Sequence, residues 1–305
     1  MREDIFFDSA GFGTIHASVW YSDEKPKAIL QIVHGIAEHV ARYDEFAEFL
    51  VGKGYAVVAE DHMGHGLSTS SENVSGYFHG GWGCAIKDSV ALMDIARDRF
   101  GQIPYFLFGH SMGSFMVRNI LADYPELQLT GCIICGTGWQ SGALLSVAVP
   151  LAKVICRLRG DRKPGKLLNN MAFGAYNKRV IDKRTPHDWL STDDKAVDAY
   201  ENDPMCGFIP SSGLMRDMLM GIRYIQKEKT LLKMNKQLPC FFIAGQEDPV
   251  GNYGEGVLRA EKEFLNAGMQ TVSAKIYPLC RHEILNEMNR FEVYEDVLNW
   301  MENLI

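Results

Sequence analysis

The sequence predicts an α/β protein: a mostly parallel central sheet flanked by helices, with a mainly helical segment inserted into it. Three observations carry this reading. Short apolar runs alternate with helical stretches as far as Cys135, and the same alternation resumes near residue 212 and runs to the last helix. Between them lies a stretch with helical pieces, Arg/Lys-rich loops and Pro breaks but no convincing strand. Strands that alternate with helices of this length pair in parallel through right-handed crossovers.

Ile5–Asp8 and Ile15–Tyr21 read as an antiparallel pair turned at Ala10-Gly11-Phe12-Gly13. Ala28–Val33 is apolar apart from Gln31, as in a strand covered on both faces. Tyr43–Lys53 has apolar residues at helical spacing and is stopped by Gly54. Tyr55–Ala59 is a further buried strand, followed by a Gly/Ser/His-rich loop, Asp61–Gly81, and a long helix, Trp82–Phe100. Strand Tyr105–Phe108 leads into helix Met112–Ala122, and Gly131–Cys135 is the next strand. After the insertion come a helix near Gly213–Glu228, strand Cys240–Ala244, helix Glu255–Ala267, strand Ser273–Tyr277 and helix Asn286–Leu304. The expected division is a core of residues 1–136 and 212–305 and a cap, or lid, of residues 137–211.

Composition narrows the function classes. With 305 residues, 47% hydrophobic and 23% charged, the chain has the means for a sizeable core. A net charge of −7 with no Lys/Arg block argues against coating a nucleic-acid duplex. No apolar run approaches the roughly 20 residues of a spanning helix. The charged N-terminus carries no secretion signal, so a cytoplasmic location is expected. Seven scattered cysteines suit reduced thiols. Cys132 and Cys135 form a C-x-x-C, yet on a strand residues i and i+3 point to opposite faces and cannot share a zinc or a disulfide.

Gly109-His110-Ser111-Met112-Gly113 fits G-x-S-x-G between a predicted strand and a predicted helix, the context of a nucleophile elbow. Side chains at Gly109 and Gly113 would collide with the neighbouring strand and helix. A serine hydroxyl needs a base. Of the two histidines after the elbow, His187 falls in the cap, so His282, after strand Ser273–Tyr277, is the base. Asp248, in the loop after Cys240–Ala244, is preferred over its neighbour Glu247 as the acid, because Pro249 fixes the loop. Met112 N–H is one oxyanion donor. Ile36 N–H is the other, from the loop after Ala28–Val33, where Gly35 lets the backbone approach a substrate. His34 and His39 are read as orienting this loop by hydrogen bonds. The run Asp61-His62-Met63-Gly64-His65 is read as a tight turn bracing it rather than as a metal site.

The combination of His34-Gly35-x-x-Glu38-His39, Asp61-His62-x-Gly64-His65-Gly66-x-Ser68, the Ser111 elbow, Gly245-x-x-Asp248-Pro249 and Arg281-His282-Glu283 closely resembles the monoacylglycerol lipase / lysophospholipase group of the α/β-hydrolase superfamily. The resemblance spans nearly the whole chain. It implies a serine esterase of monoacylglycerols or similar single-chain acyl esters, lysophospholipids included. Ser111, Asp248 and His282 form its triad, Ile36 and Met112 its oxyanion donors. Glu38, Asp61 and His65 support the loops, and neither metal nor cofactor takes part. Where the family often has a glycine before the catalytic histidine, this chain has Leu279-Cys280.

In the cap, Leu144–Val149 with Leu151, Val154 and Ile155 is apolar on most faces of a predicted helix, which usually means burial. The alternative is an acyl-chain entrance or a membrane-contact face. The adjoining Arg157–Lys163 run is either a solvated face or a contact for anionic lipid headgroups. The expected partner is a small acyl ester, with a peripheral lipid surface as a second candidate, and oligomeric state is not legible. Two competing readings remain: a prolyl-aminopeptidase-type peptidase, with Glu201 and Asp203 near the cap as anchors for an amine, and a non-catalytic binding protein on the same fold.

Overall fold

The apolar runs become the strands β1 (Arg2–Asp8), β2 (Thr14–Trp20), β3 (Ala28–Val33), β4 (Tyr55–Glu60), β5 (Tyr105–His110), β6 (Gly131–Cys135), β7 (Cys240–Gly245) and β8 (Val272–Tyr277). The computed structural model describes residues 1–69 and 74–305, so residues 70–73 of the expected Asp61–Gly81 loop lie outside the described residues. The strands form one sheet in the order β1-β2-β4-β3-β5-β6-β7-β8. Only β1 with β2 and β2 with β4 pair antiparallel; every other pair is parallel.

The helices are α1 (Asp44–Val51), α2 (Trp82–Phe100), α3 (Met112–Asp123), α4 (Gly142–Arg159), α5 (Lys166–Phe173), α6 (Asp194–Asn202), α7 (Ser212–Ile225), α8 (Glu228–Leu231), α9 (Glu255–Asn266) and α10 (Arg290–Glu302). Three expected helices adjoin or contain a 3-10 or extended segment. A 3-10 turn over Val40–Tyr43 precedes α1, and another over Ile284–Asn286 precedes α10. The helix expected to reach Glu228 ends at Ile225, because Lys227 takes an extended backbone before α8 begins.

Alternation along each strand splits the core in two. Ile29, Val33, Leu107, Ile134 and Phe242 face one apolar cluster with α3 and α9, while Leu30, Ile32, Phe108, Ile133 and Ile243 face another with α1 and α10. Cys132 belongs to the first cluster and Cys135 to the second, as strand geometry demands, and all seven thiols are free. Gln31, the one polar residue of β3, is satisfied: its amide donates to Ser89 O at 2.7 Å and its carbonyl accepts from Tyr105 Oη at 2.6 Å.

Between β6 and β7 the described residues form no strand, only an isolated bridge between Pro164 and Ser211. The apolar residues of α4 divide: Leu145, Val149, Ala152 and Ile155 are buried, whereas Leu144, Val147, Val154 and Leu158 are exposed. Apolarity around this helix therefore does not mean burial throughout. The same packing fixes α3 on β3, where a Cβ on Gly113 would lie 1.9 Å from Val33 O. Gly113→Ala is expected to cost about 3 kcal/mol by urea denaturation, because backbone and not a movable side chain blocks the methyl group. Gly142→Ala, with nothing within 4 Å, should leave stability unchanged.

Candidate active site

The parallel strands deliver their C-terminal loops to one edge of the sheet, where ligands of α/β folds bind. Ser111 follows β5 in a turn with φ 53° and ψ −118°, a conformation a side chain holds only under constraint. The constraint is visible on both sides. A Cβ on Gly109 would lie 2.6 Å from Gly113 O, and Ser111 N–H donates to Cys135 O at 3.0 Å. Ser114 N–H then donates to Ser111 O at 3.0 Å, starting α3 directly behind the hydroxyl.

Asp248 and His282 arrive from the loops after β7 and β8. His282 Nδ1 lies 2.9 Å from Asp248 Oδ2, both residues are buried, and neither of these two atoms has another partner among the described residues. Asp248 Oδ1 accepts from Val250 N–H at 2.8 Å, which fixes the carboxylate plane. Glu247, by contrast, is exposed. Ser111 and His282 line the same cavity of about 210 Å³. Among the described residues no hydrogen bond joins the hydroxyl to the imidazole.

The loop after β3 supplies Gly35, Ile36 and Ala37 to that cavity wall. The Ile36 and Met112 amides donate to no protein acceptor among the described residues, Met112 because it opens a helix. Packing also calls for glycine at Gly35: a Cβ there would lie 2.5 Å from Glu38 Oε1 and 3.1 Å from Ser111 Cβ. Asp61 Oδ1 accepts from Val40 N–H at 2.9 Å and Oδ2 from Leu67 N–H at 2.9 Å and His16 Nδ1 at 2.7 Å, so it ties this loop to the next.

His34 is fully buried, and desolvation lowers its pKa to about 3. It is neutral, with a tautomer set by its partners: Nε2 accepts from His62 N–H at 3.0 Å, so Nδ1 carries the proton and donates to Gly35 O at 2.7 Å. His65 is likewise pushed down to about 4 by burial, contacts Met63 O through Nδ1 at 3.3 Å, and packs on Phe208. These histidines brace loops through hydrogen bonds and ring contacts. Among the described residues, the set of donors that converges closely enough for a metal ion is His39, Asp203 and Cys206.

Beneath the site lies a group of buried charges in which Glu38, expected as a loop support, meets His110, Arg42 and Glu283, for which the sequence suggested no role. Glu38 Oε1 accepts from Gly35 N–H at 2.5 Å, Tyr43 Oη at 3.0 Å and His110 Nδ1 at 3.1 Å, and Oε2 accepts from Arg42 at 3.0 Å. Arg42 also forks onto both oxygens of Glu283 at 2.6 Å each. Burial alone would raise the Glu38 carboxyl, but the His110 hydrogen bond and the charges of His110 and Arg42 hold it well below 4.5. Burial pulls His110 down, yet Glu38 outweighs it and raises the imidazole above 6.5. Burial raises Glu283 and Arg42 overcomes it, leaving that carboxyl low as well. The His110 ring sits 4.7 Å from the His282 ring. The available signal was the Glu38/Arg42 spacing of one helical turn and the acid following His282.

The segment between β6 and α7 closes over this site. Trp189 packs on His282 with ring centroids 5.1 Å apart, and Trp189 O and Leu190 O accept from the His282 and Glu283 amides at 3.4 and 2.7 Å. Ala37 O accepts from Gly207 N–H at 3.0 Å and Tyr200 Oη at 3.0 Å. His187, set aside as a base, contacts Glu201 at 2.9 Å on the far wall of the cavity. Leu279, where a glycine was noted as usual, has φ 63° and is largely exposed, so the turn before His282 needs the left-handed region and holds a leucine in it.

The family model described as serine aminopeptidase, S33, matches residues 24–289. The chain is 27% identical to a monoacylglycerol lipase of Mycolicibacterium smegmatis, covering 98% of this chain and 97% of that protein. It is 31% identical to a monoglyceride lipase homolog of Monkeypox virus, covering 95% of each. Among solved structures, a thermostable carboxyl esterase from Bacillus coagulans in complex with glycerol aligns with a TM-score of 0.92 and 30% identity, covering 99% of this chain and 98% of that one.

Two outcomes follow from the charges and the turn. Glu38 and Glu283 have depressed pKa values, so their stabilisation is complete above 4.5, the ordinary glutamate value, and is lost as pH falls through the folded values. Chemical denaturation between pH 3 and 6 is expected to show this acid loss in the wild type and a smaller one in Glu38→Gln, which starts from a stability lower by about 3 kcal/mol. Leu279→Gly should raise stability by up to about 1 kcal/mol by relieving the left-handed leucine, whereas Leu279→Val should lower it.

Proposed function

This chain belongs to the serine aminopeptidase S33 family of α/β-hydrolases, and on that premise we propose that it is a serine ester hydrolase acting on monoacylglycerols or similar single-chain acyl esters. The observation that carries the reading is the buried Asp248–His282 contact of 2.9 Å, on the wall of a cavity that Ser111 also lines from a strained turn. A buried acid on Nδ1 leaves Nε2 as the base face of the imidazole.

In this mechanism His282 Nε2 takes the Ser111 proton as Oγ attacks the ester carbonyl. The tetrahedral oxyanion is held by the Ile36 and Met112 amides, a pair of which each donor contributes on the order of 10²–10³ in rate. Asp248 stabilises the imidazolium, which then protonates the leaving alcohol. Water, deprotonated by the same imidazole, releases the acid from the acyl-enzyme. No step calls on a metal or a cofactor. Residues 137–211 act as the cap in this reading, since Trp189, Tyr200 and Gly207 reach the base and the oxyanion loop.

An ester is favoured over an aminoacyl substrate by the state of the two carboxylates that might hold an amine. Glu201 lies 2.9 Å from His187 and Asp203 lies 2.8 Å from His39, so both are already engaged. A side-by-side assay of monoacylglycerols and aminoacyl-naphthylamides separates the two readings. The lysophospholipid reading shares the acyl chain and differs in the headgroup, so a chain-length series of both lipids ranks them.

A lipid surface is the second partner we propose. Leu144, Val147, Leu151, Val154 and Leu158 lie on one face of α4 at spacings of three and four, and four of them are exposed, Leu158 at 79%. Arg157, Arg159, Arg162 and Lys163 adjoin that stripe in exposed positions. An apolar stripe beside cations suits an interface with anionic headgroups. No helix among the described residues is long and apolar enough to cross a membrane.

Ser111→Ala is expected to keep the wild-type fold by circular dichroism and lose at least about 10⁴ of its p-nitrophenyl butyrate turnover, together with fluorophosphonate labelling. Asp248→Asn should lose about 10³–10⁴ with the nucleophile still present. A folded wild-type protein that fluorophosphonate leaves unlabelled refutes the enzyme reading in favour of a binding protein. Leu158→Glu should lower co-sedimentation with anionic vesicles while turnover of the water-soluble ester is unchanged.

A further inference from the structure

The junction between the loop after β3 and the segment after α6 brings together three groups that the esterase chemistry does not use. His39 Nε2 lies 2.8 Å from Asp203 Oδ2, and Cys206 Sγ joins them, so that one donor atom from each falls within 4.8 Å of the others. His39 and Cys206 are buried and Asp203 is partly exposed, which leaves one side of the cluster open to solvent. The Cys206 thiol makes no hydrogen bond among the described residues, while its own amide donates to Asp203 O at 3.0 Å and holds the turn that presents it.

We propose that His39, Asp203 and Cys206 form a binding site for a divalent zinc-type cation that clasps the oxyanion loop to the cap. Imidazole, carboxylate and thiolate are the ligands of zinc, and three protein donors with a fourth position open to water make a complete tetrahedron. The charge balance suits it. Arg42 lies close by, but its positive charge is paired with Glu38 and Glu283, and Asp203 adds a further negative charge. The ion takes the place of the proton between His39 and Asp203. His39 keeps its proton by moving it to Nδ1, and Cys206, which burial otherwise holds protonated, gives one proton to solvent per ion bound.

Occupancy has a mechanical consequence. Ligands about 2.0–2.2 Å from a tetrahedral ion sit about 3.3 Å apart, so His39 and Asp203 must separate by roughly half an ångström. His39 lies three residues beyond Ile36, and Ala37 between them is held to Gly207 and Tyr200. A shift of that size at an oxyanion donor is expected to slow ester turnover by about tenfold.

The test uses the full chain stripped of metal and titrated with Co²⁺ as a spectroscopic probe, then with Zn²⁺. The expected result is one equivalent bound, with a thiolate-to-cobalt charge-transfer band that zinc abolishes, one proton released per ion, and an about tenfold drop in turnover that EDTA reverses. The band should persist in Cys84→Ser, which removes the partly exposed thiol, vanish in Cys206→Ser, and need at least tenfold more cobalt in Asp203→Asn. Absence of the band in the wild-type protein overturns the site whatever the variants do, as does its survival in a folded Cys206→Ser. A band without loss of turnover overturns the clasp. Because cobalt binding is read without substrate, failure here is distinct from failure of the esterase reading, which fluorophosphonate labelling of Ser111 reports.

Discussion

The Glu38 carboxylate is the point on which the candidate site is assembled. Its two oxygens receive the Gly35 amide, the Tyr43 hydroxyl, the His110 imidazole and the Arg42 guanidinium, so it joins the loop after β3, the turn at Ser111 and, through Arg42 and Glu283, the loop after β8. A carboxylate buried this deeply is tolerated only when its lone pairs are filled and a charge opposes it. Here both conditions hold: Gly35, Arg42 and Tyr43 donate from the same stretch of chain, and His110 donates from 72 residues away. The network is better regarded as a specifier of geometry than as a source of stability, since desolvation offsets much of the Coulombic attraction.

A second layer acts from the segment between β6 and α7. Backbone carbonyls of Trp189 and Leu190 accept from His282 and Glu283, Arg281 donates to Asp188 O and Ser191 O at 2.6 and 2.7 Å, and Ala37 O is shared between Gly207 and Tyr200. The segment between β6 and α7 and the loops after β3 and β8 thus hold each other through main-chain groups whose partners cannot be lost without leaving buried polar atoms unpaired. The cavity between them mixes polar walls at Glu38, His110 and His282 with apolar ones at Phe173, Trp189 and Phe208, as a substrate with an ester at one end and an alkyl chain at the other demands. The exposed apolar stripe of α4 lies on the same inserted segment, so one insertion carries both the roof of the cavity and the surface that suits a lipid layer.

Much of this was readable from local chemistry. The strands from Ala28–Val33 to Cys240–Gly245 announce themselves as apolar runs with few polar breaks such as Gln31, because a strand covered on both faces has no solvent-facing positions to alternate. The elbow is equally local: two glycines around Ser111 answer to atoms within a few residues or on the adjacent strand. The fate of α4 was not readable, since an apolar helix carries no mark of which neighbours exist to cover it. Nor were the roles of Glu283, His110 and Trp189, whose partners are distant in the chain, or the reach of Arg42 beyond nearby Glu38 to Glu283.

From residue order alone follow the α/β architecture, the site of the insertion and the candidate nucleophile, acid and base, because periodicity, glycine placement and chain order are properties of short segments. Only the folded chain shows that Asp248, the carboxylate the sequence favours, lies against His282, that Arg42 ties Glu38 to Glu283, and that His39 reaches Asp203. Those are contacts between segments many residues apart, and long-range packing settles them through burial and charge, to which local sequence pattern is blind.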